Sequence, residues 1–154
     1  MDIEAALLVS DASPIIALLG IDRLDLLPAL YPRVLVTATV RTEIRHGLPD
    51  FVEVVPDPND TDEIIVNANV HAGERTAIRL AMVTPACVLL VDDLAGRKEA
   101  KARGVAVLGT LGLLRKAKLA GLIASVRPDA EAIIKDGLWV SSAVLAEFLR
   151  SCGE

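Results

Sequence analysis

The sequence has few of the residues that build the commonest catalytic and metal sites. Its two histidines, His46 and His71, lack suitable company, which excludes a zinc-type cluster and leaves no Ser-His-Asp or Cys-His set. The two cysteines, Cys87 and Cys152, form no C-x-x-C pair, so we expect buried or idle thiols in a reducing cytoplasm. No Gly-rich phosphate loop of the Walker or dinucleotide type is present.

Long apolar runs are missing as well. The richest run, VAVLGTLGLL, contains two glycines and is shorter than the ~18–20 residues that a membrane helix needs. The first residues, MDIEAALLVSD, carry acids and no basic region, which argues against a signal peptide. We therefore expect a cytoplasmic protein that does not associate with membranes.

Apolar residues are nevertheless abundant in short segments. They make up 53% of the 154 residues, and the mean hydropathy is +0.48. A chain of this length can bury a proper core, and the apolar content favours a buried sheet and a subunit interface. With no linker-like stretch or internal repeat, we predict one domain over residues 1–154.

Charge is spread unevenly along this acidic chain. Segment 97–118 holds seven basic residues against one acid, a net charge of +6, so the rest carries −11 to give −5 overall. Such a segment can hold a polyanion locally, although two solvated helix faces explain it equally well.

The apolar pattern alternates between strands and helices. Strands are predicted at 6–10, 33–37, 51–55, 86–91 and 105–109. Ser13 followed by Pro14 predicts a helix start, Gly47 predicts the end of the helix after the second strand, and Thr110 is expected to cap a later helix. This alternation predicts a three-layer α/β/α fold with a mainly parallel sheet.

Acidic residues follow two of the predicted strands. Asp11 closes the first strand and Asp92 closes the strand at 86–91, while Thr110 follows the last strand. Because parallel strands end at one edge of the sheet, these residues are expected to share that edge. Glu43 borders the buried face of the helix after the second strand, and Glu74 lies in the first turn of the helix that leads to Asp92.

Four carboxylates in one cleft repel each other unless a cation offsets their charge. Mg²⁺ or Mn²⁺, with oxygen ligands, is the natural counter-charge and would support cleavage of a phosphodiester bond. Asp93 is assigned to helix capping or to an outer position, and Ser13 and Thr110 are interpreted as caps whose hydroxyls could also hold a metal-bound water. A first-turn Glu74 is itself commonly a capping partner.

Two other folds with acidic sites fit the sequence less well. A receiver domain needs paired acids after its first strand, but here the pair follows a late strand. A haloacid-dehalogenase-type phosphatase needs a second Asp two residues after the first, and Ser13 stands there.

The chain resembles the PIN-domain family in an ordered set of segments. These are VSDASPIIALLGIDRLDLLPAL, VLVTATVRTEI, GERTAIRLA, LLVDDLAGRKEAKARGVAVLGTLGLLRKAKLAGLI and DGLWVSSAVLAEFLR. More narrowly, it resembles the bacterial and archaeal branch long described as a domain of unknown function and related to VapC-type toxins.

The resemblance implies a metal-dependent ribonuclease whose acids fall on Asp11, Glu43, Glu74 and Asp92. In many VapC-like proteins the third acid is an Asp, and the longer Glu74 could shift the metal geometry. The resemblance also implies a homodimer and, for toxin members, a small antitoxin that blocks the cleft. RNA is expected to contact the basic segment through four side chains, Arg97, Lys98, Lys101 and Arg115, while the 3% aromatic content argues against a base-stacking platform.

Three hypotheses follow from these residues. The first is a Mg²⁺- or Mn²⁺-dependent endoribonuclease that acts as the toxin of a toxin–antitoxin pair. The second is a PIN-like module that binds RNA or a partner protein without cutting. The third treats the acids as caps and surface groups of an interaction domain, which measurable metal binding would exclude.

Overall fold

A parallel sheet forms the centre of the protein. In the computed structural model, which describes residues 5–59 and 70–154, five strands are present: β1 (Leu7–Ser10), β2 (Arg33–Thr37), β3 (Val52–Val55), β4 (Cys87–Leu90) and β5 (Val107–Leu108). They pair in the order β3-β2-β1-β4-β5, and every neighbouring pair is parallel. The predicted parallel sheet is confirmed, with β3 and β5 as its edges.

Helices cover both faces of the sheet. The described ranges contain α1 (Ala12–Gly20), α2 (Leu26–Leu30), α3 (Ala38–Glu43), α4 (Ala72–Val83), α5 (Leu94–Ala102), α6 (Thr110–Leu119), α7 (Arg127–Lys135) and α8 (Ser142–Ser151). Helix α4 packs on β1, β2 and β4 and contacts α3 and α5, whereas α1 contacts α6 and α7. The predicted three-layer α/β/α architecture is therefore confirmed.

The central strand sets the position of the acidic residues. Leu8 and Val9 of β1 are fully buried, as expected where both faces of a parallel sheet are covered. Ser10 pairs with Leu90, so β1 and β4 end level with each other. The Asp11 N–H continues this pairing by donating to the Leu90 carbonyl at 3.0 Å. Residues that follow β1 and β4 consequently leave the sheet at the same edge.

A second apolar cluster joins the C-terminal helices to one another. Leu114, Val126, Ile133 and Leu149 pack together there, away from the cluster around the sheet. The Glu154 carboxylate ties the same helices by accepting hydrogen bonds from a set of donors: Lys118 Nζ, Ser125 Oγ and the Val126 and Arg127 N–H groups.

The starts of two helices differ from their prediction. The N-cap of α1 is Asp11, because the chain passes directly from strand to helix there, and Ser13 is an exposed residue of the first turn. The N-cap of α6 is Gly109, and the buried Thr110 is the first helical residue. Its hydroxyl donates to Asp92 in place of capping its own helix. Both predicted hydroxyl caps were wrong.

The helix after β2 ends before the predicted Gly47. Helix α3 ends at Glu43, since Ile44 turns to extended backbone (φ −99°, ψ 110°) and is only 2% exposed. The extended backbone at Ile44 places this side chain in the core and ends the helix. The Arg41 guanidinium donates a hydrogen bond to the Ile44 carbonyl at 2.8 Å. The strand predicted at 105–109 is also shorter, since β5 comprises Val107–Leu108.

Three further expectations concern the wider chain. The sequence PDPNDTDE at 56–63 predicts a polar loop, and residues 60–63 of it lie outside the described residues. No helix among the described residues is both long and apolar enough to cross a membrane. Cys87 and Cys152 are free thiols.

Candidate active site

Asp11 is a buried carboxylate at the edge where β1 and β4 end. It is only 5% exposed. Although it occupies the N-cap position of α1, its side chain makes no capping hydrogen bond there and accepts the adjacent Ala12 N–H. Helix capping therefore does not explain why an acid is buried at this position.

Glu74 is the second buried carboxylate of this edge. It lies in the first turn of α4 and is 6% exposed. A hydrogen bond to the backbone of His71, the N-cap of α4, gives it the reach-back contact of a capping box. Its Oε2 nevertheless has no hydrogen-bond partner in the described part of the protein. Helix capping therefore explains the contact with His71 but not the burial of the Oε2 atom.

Both carboxyl groups hold their protons more tightly than usual. Burial raises the pKa of Asp11 from 3.8 to about 6; the Ala12 N–H opposes this, and the charges of Glu43, Asp92 and Asp93 add to it. Burial likewise raises the pKa of Glu74 to about 8, with the Asp11 and Asp93 charges and a hydrogen bond to the Asp93 side chain adding to the rise.

Asp92 and Asp93 both reach this edge. Side chains alternate between the two faces along a regular strand, but β4 ends at Leu90, so alternation does not separate these two residues. Asp92 accepts hydrogen bonds from Thr110, at 2.7 Å from the N–H and also from the hydroxyl. Asp93 caps α5 by accepting the Gly96 N–H at 2.9 Å, which agrees with its assignment to helix capping.

Two glycines leave room for the acids. A Cβ added at Gly96 would lie 2.5 Å from Glu74 Oε2, and one added at Gly73 would collide with both carboxylate oxygens of Glu43. The exposed Glu43 therefore lies against the first turn of α4, where the positive end of the helix dipole favours its charge. The four predicted acids and Asp93 thus surround one edge of the sheet.

The family relationship follows from comparison of the whole sequence. The family model described as a PIN domain matches residues 7–154. The chain belongs to the PIN-domain family. No curated protein and no solved structure matches it significantly. PIN domains are generally nucleases, so the chain belongs to a nuclease-type family.

PIN domains typically use divalent metal ions, and the chemistry of this edge fits such an ion. All of the donors are oxygens, Glu74 Oε2 lacks a hydrogen-bond partner among the described residues, and neighbouring carboxylates contribute to the raised pKa values of Asp11 and Glu74. Within the described residues, however, no three His, Cys, Asp or Glu side chains are already arranged to hold an ion. An ion would have to draw the carboxylates of this PIN domain closer together.

The predicted RNA-binding cations lie on α5 and α6. Lys98, Lys101 and Arg115 are exposed. The Arg97 guanidinium lies beside Gly109 together with the Asp92 carboxylate, since a Cβ at Gly109 would be 3.2 Å from each. Arg97 is therefore the basic residue that the structure brings to the acidic edge.

Other cations of the same segment have internal partners. Lys116 Nζ donates to the Tyr31 hydroxyl at 3.0 Å and lies 4.6 Å from the centre of its ring. Lys118 pairs with Glu154 at 2.8 Å, and Arg103 pairs with Glu99 at 2.9 Å. The net charge of +6 is therefore larger than the charge that this segment has available to bind a polyanion.

Sequence reasoning missed the two glycines and Trp139. A signal for the glycines was present, because Gly73 and Gly96 lie in the first turns of α4 and α5, and glycine forms helices less readily than alanine. Nothing local marked Trp139, which shares a groove with Asp92 and Asp93 only in the folded chain.

Proposed function

We propose that this PIN domain is a Mg²⁺- or Mn²⁺-dependent endoribonuclease and the toxin of a toxin–antitoxin pair. The observation that supports it is the convergence of carboxylates from separate segments at one sheet edge, with the pKa of Asp11 raised to about 6 and that of Glu74 to about 8. A protein that needed these residues only for stability would gain from neutral side chains there, because buried like charges destabilise the fold.

Each acid has a proposed role. Asp11 and Asp92 bind the cation directly, and Glu43 and Glu74 complete its surroundings or orient the attacking water. Thr110 fixes the Asp92 carboxylate through two hydrogen bonds. The bound cation would supply a hydroxide-like nucleophile and charge stabilisation for the phosphate.

Burial and the neighbouring acids raise the pKa of the Glu74 carboxyl group to about 8. A cation held beside Glu74 would favour loss of its proton, because a nearby positive charge stabilises the carboxylate. Asp93, which accepts the Gly96 N–H, is exposed on the outer side of this edge. The exposed Ser13 is available to hold a water molecule on the outer side.

We also propose the partners that the family resemblance implies. Exposed Lys98, Lys101 and Arg115, with Arg97 beside the acids, bind the phosphates that flank the scissile bond. A small antitoxin covers the acidic cleft, and the chain forms a homodimer. Helix α8 supports the dimer proposal because Val144 is 56% exposed, whereas the apolar residues of α1 are mostly accounted for by the core.

The decisive experiment is cleavage of total cellular RNA by protein verified to be free of any antitoxin. Cutting is expected with Mn²⁺, and EDTA and Asp11→Asn are each expected to abolish it. Asp25→Asn is the matched control, because Asp25 is an exposed acid without a capping hydrogen bond. Full activity of Asp11→Asn would refute the assignment of Asp11.

The second candidate function is a PIN-like module that binds RNA or a partner protein without cutting. The absence of a ready-made three-acid arrangement in the described ranges, with Glu74 at the third position, favours it. Tight RNA binding without turnover at saturating Mn²⁺ would select this alternative.

A further inference from the structure

A groove of about 840 Å³ adjoins the acidic edge. Asp92 and Asp93 line it together with apolar side chains from α1, the start of α5 and the segment after α7. This volume lies within the range of roughly 300–1,000 Å³ that is usual for sites of small organic molecules. The groove is therefore large enough for part of a polymeric substrate.

Several apolar side chains that line the groove are exposed and are not buried in the core. Trp139, the only tryptophan, is 83% exposed, and Leu94 and Ile16 in the same lining are 68% and 40% exposed. Contiguous exposed apolar surface of this kind marks binding sites in soluble proteins. It lies beside the carboxylates that the proposed function makes catalytic.

Trp139 directly follows a hydrogen-bonded motif that ends α7. Gly137 has φ +131°, its N–H donates to the Ile134 carbonyl at 3.1 Å, and the Leu138 N–H donates to the Ile133 carbonyl at 3.2 Å. This is the hydrogen-bond pattern of a Schellman motif at the end of α7. These hydrogen bonds anchor the chain up to Leu138, the residue directly before the tryptophan.

We propose that this groove binds one unpaired nucleobase next to the scissile phosphate, with the base stacked on Trp139. The inference rests on the proposed function, because a phosphate at the acidic edge obliges the neighbouring nucleotides to lie on the adjacent surface. Farther from the proposed cation, Asp136 in the lining repels phosphate, whereas a neutral aromatic base meets an apolar wall. A single exposed ring suffices for one such stack, which is worth enough to matter in single-strand binding.

The polar lining adds recognition at the base edge. His46 and Asp136 both line the groove, and the Asp136 carboxylate lies against Gly20, where an added Cβ would be 3.2 Å away. These groups can hydrogen-bond the edge of an unpaired base, which is not available in a duplex. The site therefore selects single-stranded RNA.

The fluorescence of Trp139 provides the test, because no other tryptophan contributes to the signal. In the Asp11→Asn background with Mn²⁺, a short single-stranded oligoribonucleotide is expected to quench it. The matching duplex and inorganic polyphosphate, which lack an available base, are expected not to. Trp139→Ala should weaken binding of a labelled oligoribonucleotide about tenfold or more, and Trp139→Phe should retain most of the affinity.

The matched control is Leu119→Ala, which removes an apolar side chain that is 73% exposed outside this groove. Unchanged RNA affinity in Trp139→Ala, with cleavage intact in the wild-type protein, would overturn the base site and leave the proposed nuclease standing. Quenching and the Trp139→Ala defect without any cleavage by the wild-type protein would support the base site and refute the catalytic proposal. Absence of RNA binding by the wild-type protein would overturn both and point to a protein partner for the groove.

Discussion

Replacing Asp11 by Asn is expected to stabilise the metal-free protein above pH 6. Burial and neighbouring charges raise the pKa of this carboxyl group from 3.8 to about 6. The folded protein therefore binds the proton more tightly than the unfolded chain does. The stability that comes from this tighter proton binding is fully present below about pH 4 and is lost as the pH rises through 6. Above pH 6 the buried charged carboxylate lowers the free energy of unfolding by a constant amount.

The size of the effect follows from the two pKa values. Folded and unfolded values that differ by about two pH units correspond to about 3 kcal/mol in the free energy of unfolding. Asparagine keeps the shape of the side chain and removes the charge, but it weakens the hydrogen bond from the Ala12 N–H. We expect a net gain of about 1 to 3 kcal/mol at pH 8, or roughly 3 to 10 °C in Tm.

Thermal unfolding of both proteins in EDTA, at pH values from 4 to 8, measures this gain. The difference in Tm should be small at pH 4 and should grow as the pH rises through 6, and Asp25→Asn should show no such trend. Saturating Mn²⁺ should stabilise the wild-type protein more than Asp11→Asn. A variant that is less stable than the wild type by the same amount at every pH would refute the reasoning, because Asp11 would then stabilise the fold through its hydrogen bonds.

Two further predictions concern other parts of the structure. Gly96→Ala places a Cβ 2.5 Å from Glu74 Oε2 and so displaces that carboxylate. We expect roughly a 100-fold loss of RNA cleavage with an unchanged circular-dichroism spectrum. Wild-type activity in this variant would show that the position of Glu74 is unimportant. Glu154→Gln should lower Tm at pH 7, because the pKa of Glu154 is lowered to about 2, first by Lys118 and then by Ser125 and the Val126 N–H. That difference should fade as the pH falls from about 4.5 toward 2, and calorimetry that shows a difference independent of pH would contradict the role of the charge.

The sheet could be predicted because its signal is local. Short apolar runs that end in turn or capping residues indicate strands buried on both faces, and Leu8 and Val9 show how complete that burial is. The parallel order followed from the alternation with helices, and it alone predicted that Asp11 and Asp92 leave the same edge.

The helix boundaries and the surroundings of the acids depended on contacts between distant segments. Ser13 and Thr110 are good capping residues by type, yet Asp11 takes the first cap position and Thr110 turns to Asp92. The surroundings of the Glu74 oxygen, which has no hydrogen-bond partner in ranges 5–59 and 70–154, and the groove beside Trp139 exist only after α4, α5 and α7 have packed. Local pattern carries no information about such contacts.

The positions of Gly73 and Gly96 allow a prediction about related sequences. Each glycine faces a carboxylate that lies where a side chain would otherwise start, and neither φ angle demands glycine. An added Cβ would displace the carboxylate, which is easy for the exposed Glu43 and costly for the buried Glu74. A related chain that keeps Glu74 is therefore expected to keep Gly96, whereas a chain that has lost this acid is free to place alanine opposite it and gain helix stability. The pair of residues at positions 74 and 96 should therefore separate relatives that retain the acidic edge from those that have abandoned it.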